Sequence, residues 1–200
     1  MKTPKLMAVA ACAAACIATT AFADGDDGIV ASATPPAKIA DPVNPKPGMV
    51  FKGYDVNYVY GDKFAELPTV LQKATAVKTM VVNAERFTFD YSKSEKISHG
   101  VWEGFLKCKR SANCTFLLKQ EQGGGAGYIL FVNGERVICG EGQGSVKVDM
   151  KAGYNHIKLY SQYKYPVSIS LKATDSLKEP KPLTPKDMFY DDKPDDGDVF

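Results

Sequence analysis

Histidine is nearly missing from this chain of 200 residues: only His99 and His156 occur, beside a single tryptophan, Trp102. So few imidazoles leave no His pair at metal-binding spacing and almost no candidate for the commonest general base. No G-x-S-x-G nucleophile elbow appears either. A glycosidase would need two convergent carboxylates, which the Asp and Glu content leaves open, but the site inventory reads as a non-enzyme. An excess of one charge is lacking as well, with 25 Lys and Arg against 23 Asp and Glu. Loss of the first 23 residues would remove Lys2 and Lys5 and leave 23 of each sign. A neutral chain has no global field with which to attract nucleic acid. Past residue 23 no apolar run approaches the roughly 20 residues a membrane span needs.

The N-terminus reads as an export signal over 1–23. Lys2 and Lys5 supply its charged start, Leu6 to Ile17 its apolar stretch, and Ala21-Phe22-Ala23 an A-x-A cleavage site. The rival is Val9-Ala10-Ala11-Cys12, which resembles a bacterial lipobox and would leave a lipidated Cys12. The apolar stretch before Cys12 is short for that, so the expectation is cleavage after Ala23 and a protein in the periplasm, on the outer surface or outside the cell. Residues 24–48, with Pro35, Pro36, Pro42, Pro45 and Pro47, read as an extended linker. The folded domain is expected over 49–190. An acidic tail follows at 191–200, whose Asp191, Asp192, Asp195, Asp196 and Asp198 lack the spacing of an EF-hand.

Between these ends the hydrophobic period is two. Phe87, Phe89 and Tyr91 alternate with polar residues, as do Val146, Val148 and Met150, Ile157 and Leu159, and Val167, Ile169 and Leu171. Each reads as a half-buried strand. Less regular strands fit at 49–55, 77–83, 99–109, 114–120, 127–133 and 135–139, the last two joined by Asn133-Gly134, a strong type I′ hairpin signal. Only 63–74 offers a short helix, with Pro68 interrupting it. The glycines of "QEQGGGAGYILFVNGERVIC" (120–139) lack the Lys or Ser/Thr and the following helix of a phosphate loop, so they read as a strand connection. The fold class is all-β, an antiparallel sandwich or barrel with one short helix.

Three cysteines lie beyond the leader. Cys108 and Cys114 share the inward phase of Trp102, Leu106, Phe116 and Leu118 across a five-residue loop, a placement that suits a disulfide in an oxidising compartment. Cys139 is left over and reads as a buried small hydrophobe, with a reactive thiol as the less common alternative. His156 falls on the polar phase of its strand and reads as solvent-facing, whereas His99 reads as a hydrogen-bonding group near a turn.

Several segments taken in order resemble the PA14 family of secreted β-sandwich modules: "VWEGFLKC" (101–108), "CTFLLKQ" (114–120), "GYILFVNGERVI" (127–138), "VKVDMKAGYNHIKLYSQ" (146–162) and "PLTPKDMFY" (182–190). The resemblance implies two antiparallel sheets and sugar recognition by loops at one end. It also exposes a departure. Family members that bind sugar through calcium carry two adjacent Asp where this chain has Gly125 and Ala126, so no metal site and no cofactor is expected, calcium being disfavoured for want of oxygen ligands. A metal-free sugar site would draw on aromatic platforms and polar groups, for which Tyr163, Tyr165, Glu141, Gln143 and Asn133 are the candidates. Two functions remain: a secreted or envelope carbohydrate-binding module, and a structural or protein-interaction module of the envelope that binds no sugar. The partner is accordingly a glycan or an envelope protein.

Overall fold

Alternating hydrophobicity produces strands that pair into two sheets. The structure, a computed structural model, describes residues 39–59, 61–87, 96–120, 127–162, 167–174 and 176–192. The strands are β1 (Pro45–Pro47), β2 (Met49–Tyr54), β3 (Lys78–Val82), β4 (His99–Cys108), β5 (Ala112–Gln120) and β6 (Gly127–Val132). They continue with β7 (Glu135–Glu141), β8 (Gln143–Met150), β9 (Gly153–Gln162), β10 (Val167–Ala173), β11 (Lys181–Leu183) and β12 (Met188–Asp191). The first sheet runs β1-β12-β4-β9-β6-β7, with β2 joined to β4 and β3 joined to β2; the second runs β11-β10-β5-β8. All pairings are antiparallel and the sheets do not close into a barrel. The fold is a sandwich.

Between the sheets lies a core in which Trp102, Leu130, Ile157 and Leu159 of the first meet Phe116, Leu118 and Ile169 of the second. Trp102 is 1% exposed and packs against Phe51 at 4.6 Å and edge-on to Phe87 at 5.7 Å between ring centroids. The reading of Trp102 as core is correct. The first sheet also buries part of its outer face. A 3-10 turn (Gly61–Glu66) leads into helix α1 (Leu67–Gln72), and Phe64, Leu67 and Leu71 settle on Tyr54, Val101, Ile129 and Tyr160. Full burial of each such side chain contributes about 1.5–3 kcal/mol.

Several expectations need correction. Pro68 does not interrupt a helix; it stands in the first turn of α1, where its missing N–H would have had no partner. The segment expected to be linker through residue 48 ends in β1, which pairs with β12. Asp191, expected in a free tail, accepts hydrogen bonds from the backbone N–H of Val43 and Asn44 at 3.1 and 2.9 Å. His156 is buried, because the outward phase of β9 lies against Phe105 rather than water. Cys139 is exposed on the edge strand β7. Of the strand expected at 87–91, only Phe87 is described, bridged to Val167; the rest, residues 1–38 and the tail beyond 192 lie outside the described residues.

Asn133 and Gly134 have φ of 52° and 83°, as a type I′ turn demands at both central positions. Gly127 answers to a different constraint. A Cβ there would lie 2.5 Å from the Phe64 ring. Its lack of a side chain therefore lets the 3-10 turn close on the sheet. We expect Gly127→Ala to cost about 1–3 kcal/mol in urea unfolding, the range for overpacking. The penalty should shrink in a Phe64→Leu background; an equal penalty in both backgrounds would refute the contact as its cause.

Candidate functional site

Strand register gathers several polar side chains at one end of the sandwich. His99 pairs with both Tyr54 and Gln162, Gly127 with Glu141, Lys119 with Gln143, and Gln120 with Val167. The single residue Gly142, with φ of 65°, carries the chain from the first sheet to the second at this rim. Glu141 and Gln143 on either side of it are exposed. Behind them the backbone N–H of Gln120 donates to the carbonyl of Gly142 at 2.8 Å. The Gln120 side chain is 7% exposed, and its Nε2 has no hydrogen-bond partner among the described residues. A buried amide without a partner costs about 1–3 kcal/mol, a penalty that an arriving acceptor would remove.

The neighbouring 55–59 loop is held from below. Ser98 Oγ lies 2.7 Å from the carbonyl of Val56 and 2.9 Å from His99 Nδ1, and Gln162 Nε2 donates to the carbonyl of Val59 at 3.1 Å. His99 is completely buried, and burial pushes its pKa down despite a bond to the Val59 backbone. The expected hydrogen-bonding role of His99 is what the structure shows. It positions a loop and presents nothing to solvent.

The sequence candidates therefore divide. Glu141 and Gln143 meet at the rim. Tyr163 and Tyr165, like the glycines before Gly127, lie outside the described residues, although their flanking residues Gln162 and Val167 belong to this end. Asn133 sits at the opposite end, where its side chain donates to Asn155 Oδ1 and accepts from the backbone N–H of His156, each at 3.0 Å. That amide is committed to its turn.

A second polar feature went unnoticed in the sequence. On the outer face of the first sheet, Glu103 accepts from His156 Nε2 at 2.9 Å and pairs with Lys158 at 3.2 Å. The cluster borders a cleft of about 70 Å³ between sheet and α1, walled by Tyr54 and Tyr160. Burial raises the Glu103 pKa, but the His156 hydrogen bond and the Lys158 charge outweigh it and bring it down to about 2. Both partners come from β9, so only the β4–β9 register reveals the group.

No protein-family model matches the chain, and no curated protein matches it in sequence. Solved structures do match. The Epithelial Adhesin 6 A domain from Candida glabrata, in complex with Galb1-3GlcNAc, superposes with a TM-score of 0.55 at 12% identity over 74% of this chain and 88% of that one. The PA14 domain of the MpAFP antifreeze protein gives 0.54 at 13%, over 78% and 96%. An anti-sigma factor domain-containing protein gives 0.53 at 18%, over 75% of this chain and only 50% of that chain. The fold is PA14-like.

The Glu103 group predicts a pH dependence. Its folded pKa of about 2 lies below the ordinary 4.5, so its contribution is complete above pH 5 and disappears as the pH falls through that interval. With a third of the side chain exposed, solvent screening reduces the effect to about 1–2 kcal/mol. Glu103→Gln should flatten the fall in stability between pH 5 and 2; parallel curves for the two proteins would exclude this role.

Proposed function

We propose that this chain is an exported, non-catalytic carbohydrate-binding module whose site is the rim around Glu141 and Gln143. The observation that carries the reading is the placement of these two exposed side chains at the end of the sandwich where the buried Gln120 amide also lacks a partner among the described residues. Sugars are recognised by such sets of carboxylate and amide groups, which hydrogen-bond hydroxyls in directions an apolar patch cannot specify. The PA14-like fold supports the reading, since a sugar-bound adhesin domain shares it. Calcium does not fit. The two positions that would bear the paired carboxylates are Gly125 and Ala126, whose side chains supply no oxygen.

One observation favours the other reading, a protein-interaction module. β3 pairs only with β2 among the described residues, and Val77 and Val81 beside and within it are 54% and 44% exposed. An open edge with apolar side chains accepts a partner strand. Binding to a broad glycan panel decides between the two. We expect binding that chelator leaves unchanged and that Glu141→Ala combined with Gln143→Ala weakens roughly tenfold, the loss of two ordinary hydrogen bonds. A folded protein that binds no glycan returns the function to the β3 edge.

The redox state follows from export. Cys108 and Cys114 carry free thiols in the structure, packed with the same core, and burial raises the pKa of both. Cys114 additionally raises that of Cys108, so the two sulfurs are within electrostatic reach. In the exported protein we expect them to join. Intact mass and non-reducing peptide mapping of native material test this: the expected species starts at Asp24 with Cys108 bonded to Cys114. An acylated start at Cys12 or two free thiols would refute the corresponding half.

A further inference from the structure

The two sheets treat their outer faces differently. The first is covered in part by the 3-10 turn and α1, while the second has no helix packed on it among the described residues. Its outward side chains follow from register. Lys172, Thr115 and Lys147 line up across β10, β5 and β8; Ser170, Leu117 and Ser145 form the next row, and Lys119 stands in the row beyond. Strand spacing puts Lys172 and Lys147 about 10 Å apart, and Lys119 about 13 Å along β5 from Thr115.

Lys147 and Lys172 stand about one Debye length apart at 0.1 M salt, so their fields overlap, while Lys119 lies beyond that length from both and joins them at lower salt. None of the three has an acidic partner among the described residues. The one carboxylate in these strands, Asp149, stands on the same face in the row next to Lys147, and it accepts from Asn113 Nδ2 at 2.7 Å in a chain of contacts that continues through Thr174 to Thr115. The face is thus positive within a protein that is neutral overall. Between its lysines stand hydroxyls.

We propose that this face of the second sheet binds an anionic polysaccharide. Charge complementarity supplies the attraction, and Ser145, Ser170 and Thr115 offer hydroxyl partners between the lysines. Two other polyanions fit less well. Single-stranded nucleic acid draws on aromatic platforms for its bases, and these strands present no aromatic side chain on this face. A lipid surface gains from large apolar groups that insert, and this face offers only the half-buried Leu117 and the small ring of Pro182. The face adjoins the Glu141 rim, because Lys119 pairs directly with the rim residue Gln143.

The test uses the whole exported chain with dextran sulfate as the probe and neutral dextran as its control. Dextran sulfate should bind, neutral dextran should not, and affinity should fall at least about tenfold between 50 and 300 mM salt. Replacing Lys119, Lys147 and Lys172 together with Gln should reduce binding at least about tenfold, and replacing them with Arg should preserve it. Replacing Lys63 of the 3-10 turn, Lys73 at the end of α1 and Lys107 of β4 with Gln makes the same change in net charge away from this face and should have little effect. Equal losses from the two Gln triples, no binding of dextran sulfate, or stronger binding to single-stranded DNA or phosphatidylserine vesicles would each overturn the proposal. Glu141→Ala alone, which removes a negative charge and no residue of this face, should not weaken dextran sulfate binding, which separates this result from the fate of the rim site.

Discussion

The long antiparallel pairing of β4 with β9, from His99 opposite Gln162 to Cys108 opposite Gly153, is the constraint on which the rest of the molecule rests. It places two strands at the middle of the first sheet that are buried on both faces. Trp102, Ile157 and Leu159 point into the sandwich while Val101 and Tyr160 point outward, under the 3-10 turn and α1. One register therefore serves two hydrophobic layers. A slip of one residue would turn Trp102 toward the helix and Glu103 into the core, which no compensating contact could repair.

The same pairing assembles charge. Glu103 stands directly opposite Lys158 and reaches His156 two residues away on the same strand, so a buried imidazole and a partly buried lysine share one carboxylate. These groups stiffen the sheet beside α1. The cleft they border is small, and Glu103, Lys158 and His156 Nε2 are turned on one another, while His156 Nδ1 is buried without a partner among the described residues. A ligand would have to break that network, whereas the rim at Glu141 and Gln143 offers groups without competing partners among the described residues.

Rim and basic face present two chemically different surfaces on one scaffold. At the rim a carboxylate and amides surround a chain crossing, and on the second sheet lysines and hydroxyls stand in rows. They adjoin where Gln143, beside the crossing, pairs with Lys119 near the end of β5. Side chains that alternate along a strand line a face, whereas residues that end strands line a rim.

The sequence by itself determined the strands, the Asn133-Gly134 hairpin and the inward placement of Trp102, because period-two alternation and turn chemistry are local properties. It also brought Glu141 and Gln143 to notice, as polar residues around a glycine. Four things were decided only by tertiary structure. Pro45–Pro47 became a strand because β12, far along the chain, offers it a partner. His156 became buried because Phe105 arrives from β4 to cover an outward phase that periodicity alone assigns to water. Glu103, Lys158 and His156 became one group, and Lys119, Lys147 and Lys172 one face, through pairings between strands distant in sequence. The physical reason is common to all four: alternation says which side of a strand a residue takes, and only the pairing of strands says what stands on that side with it.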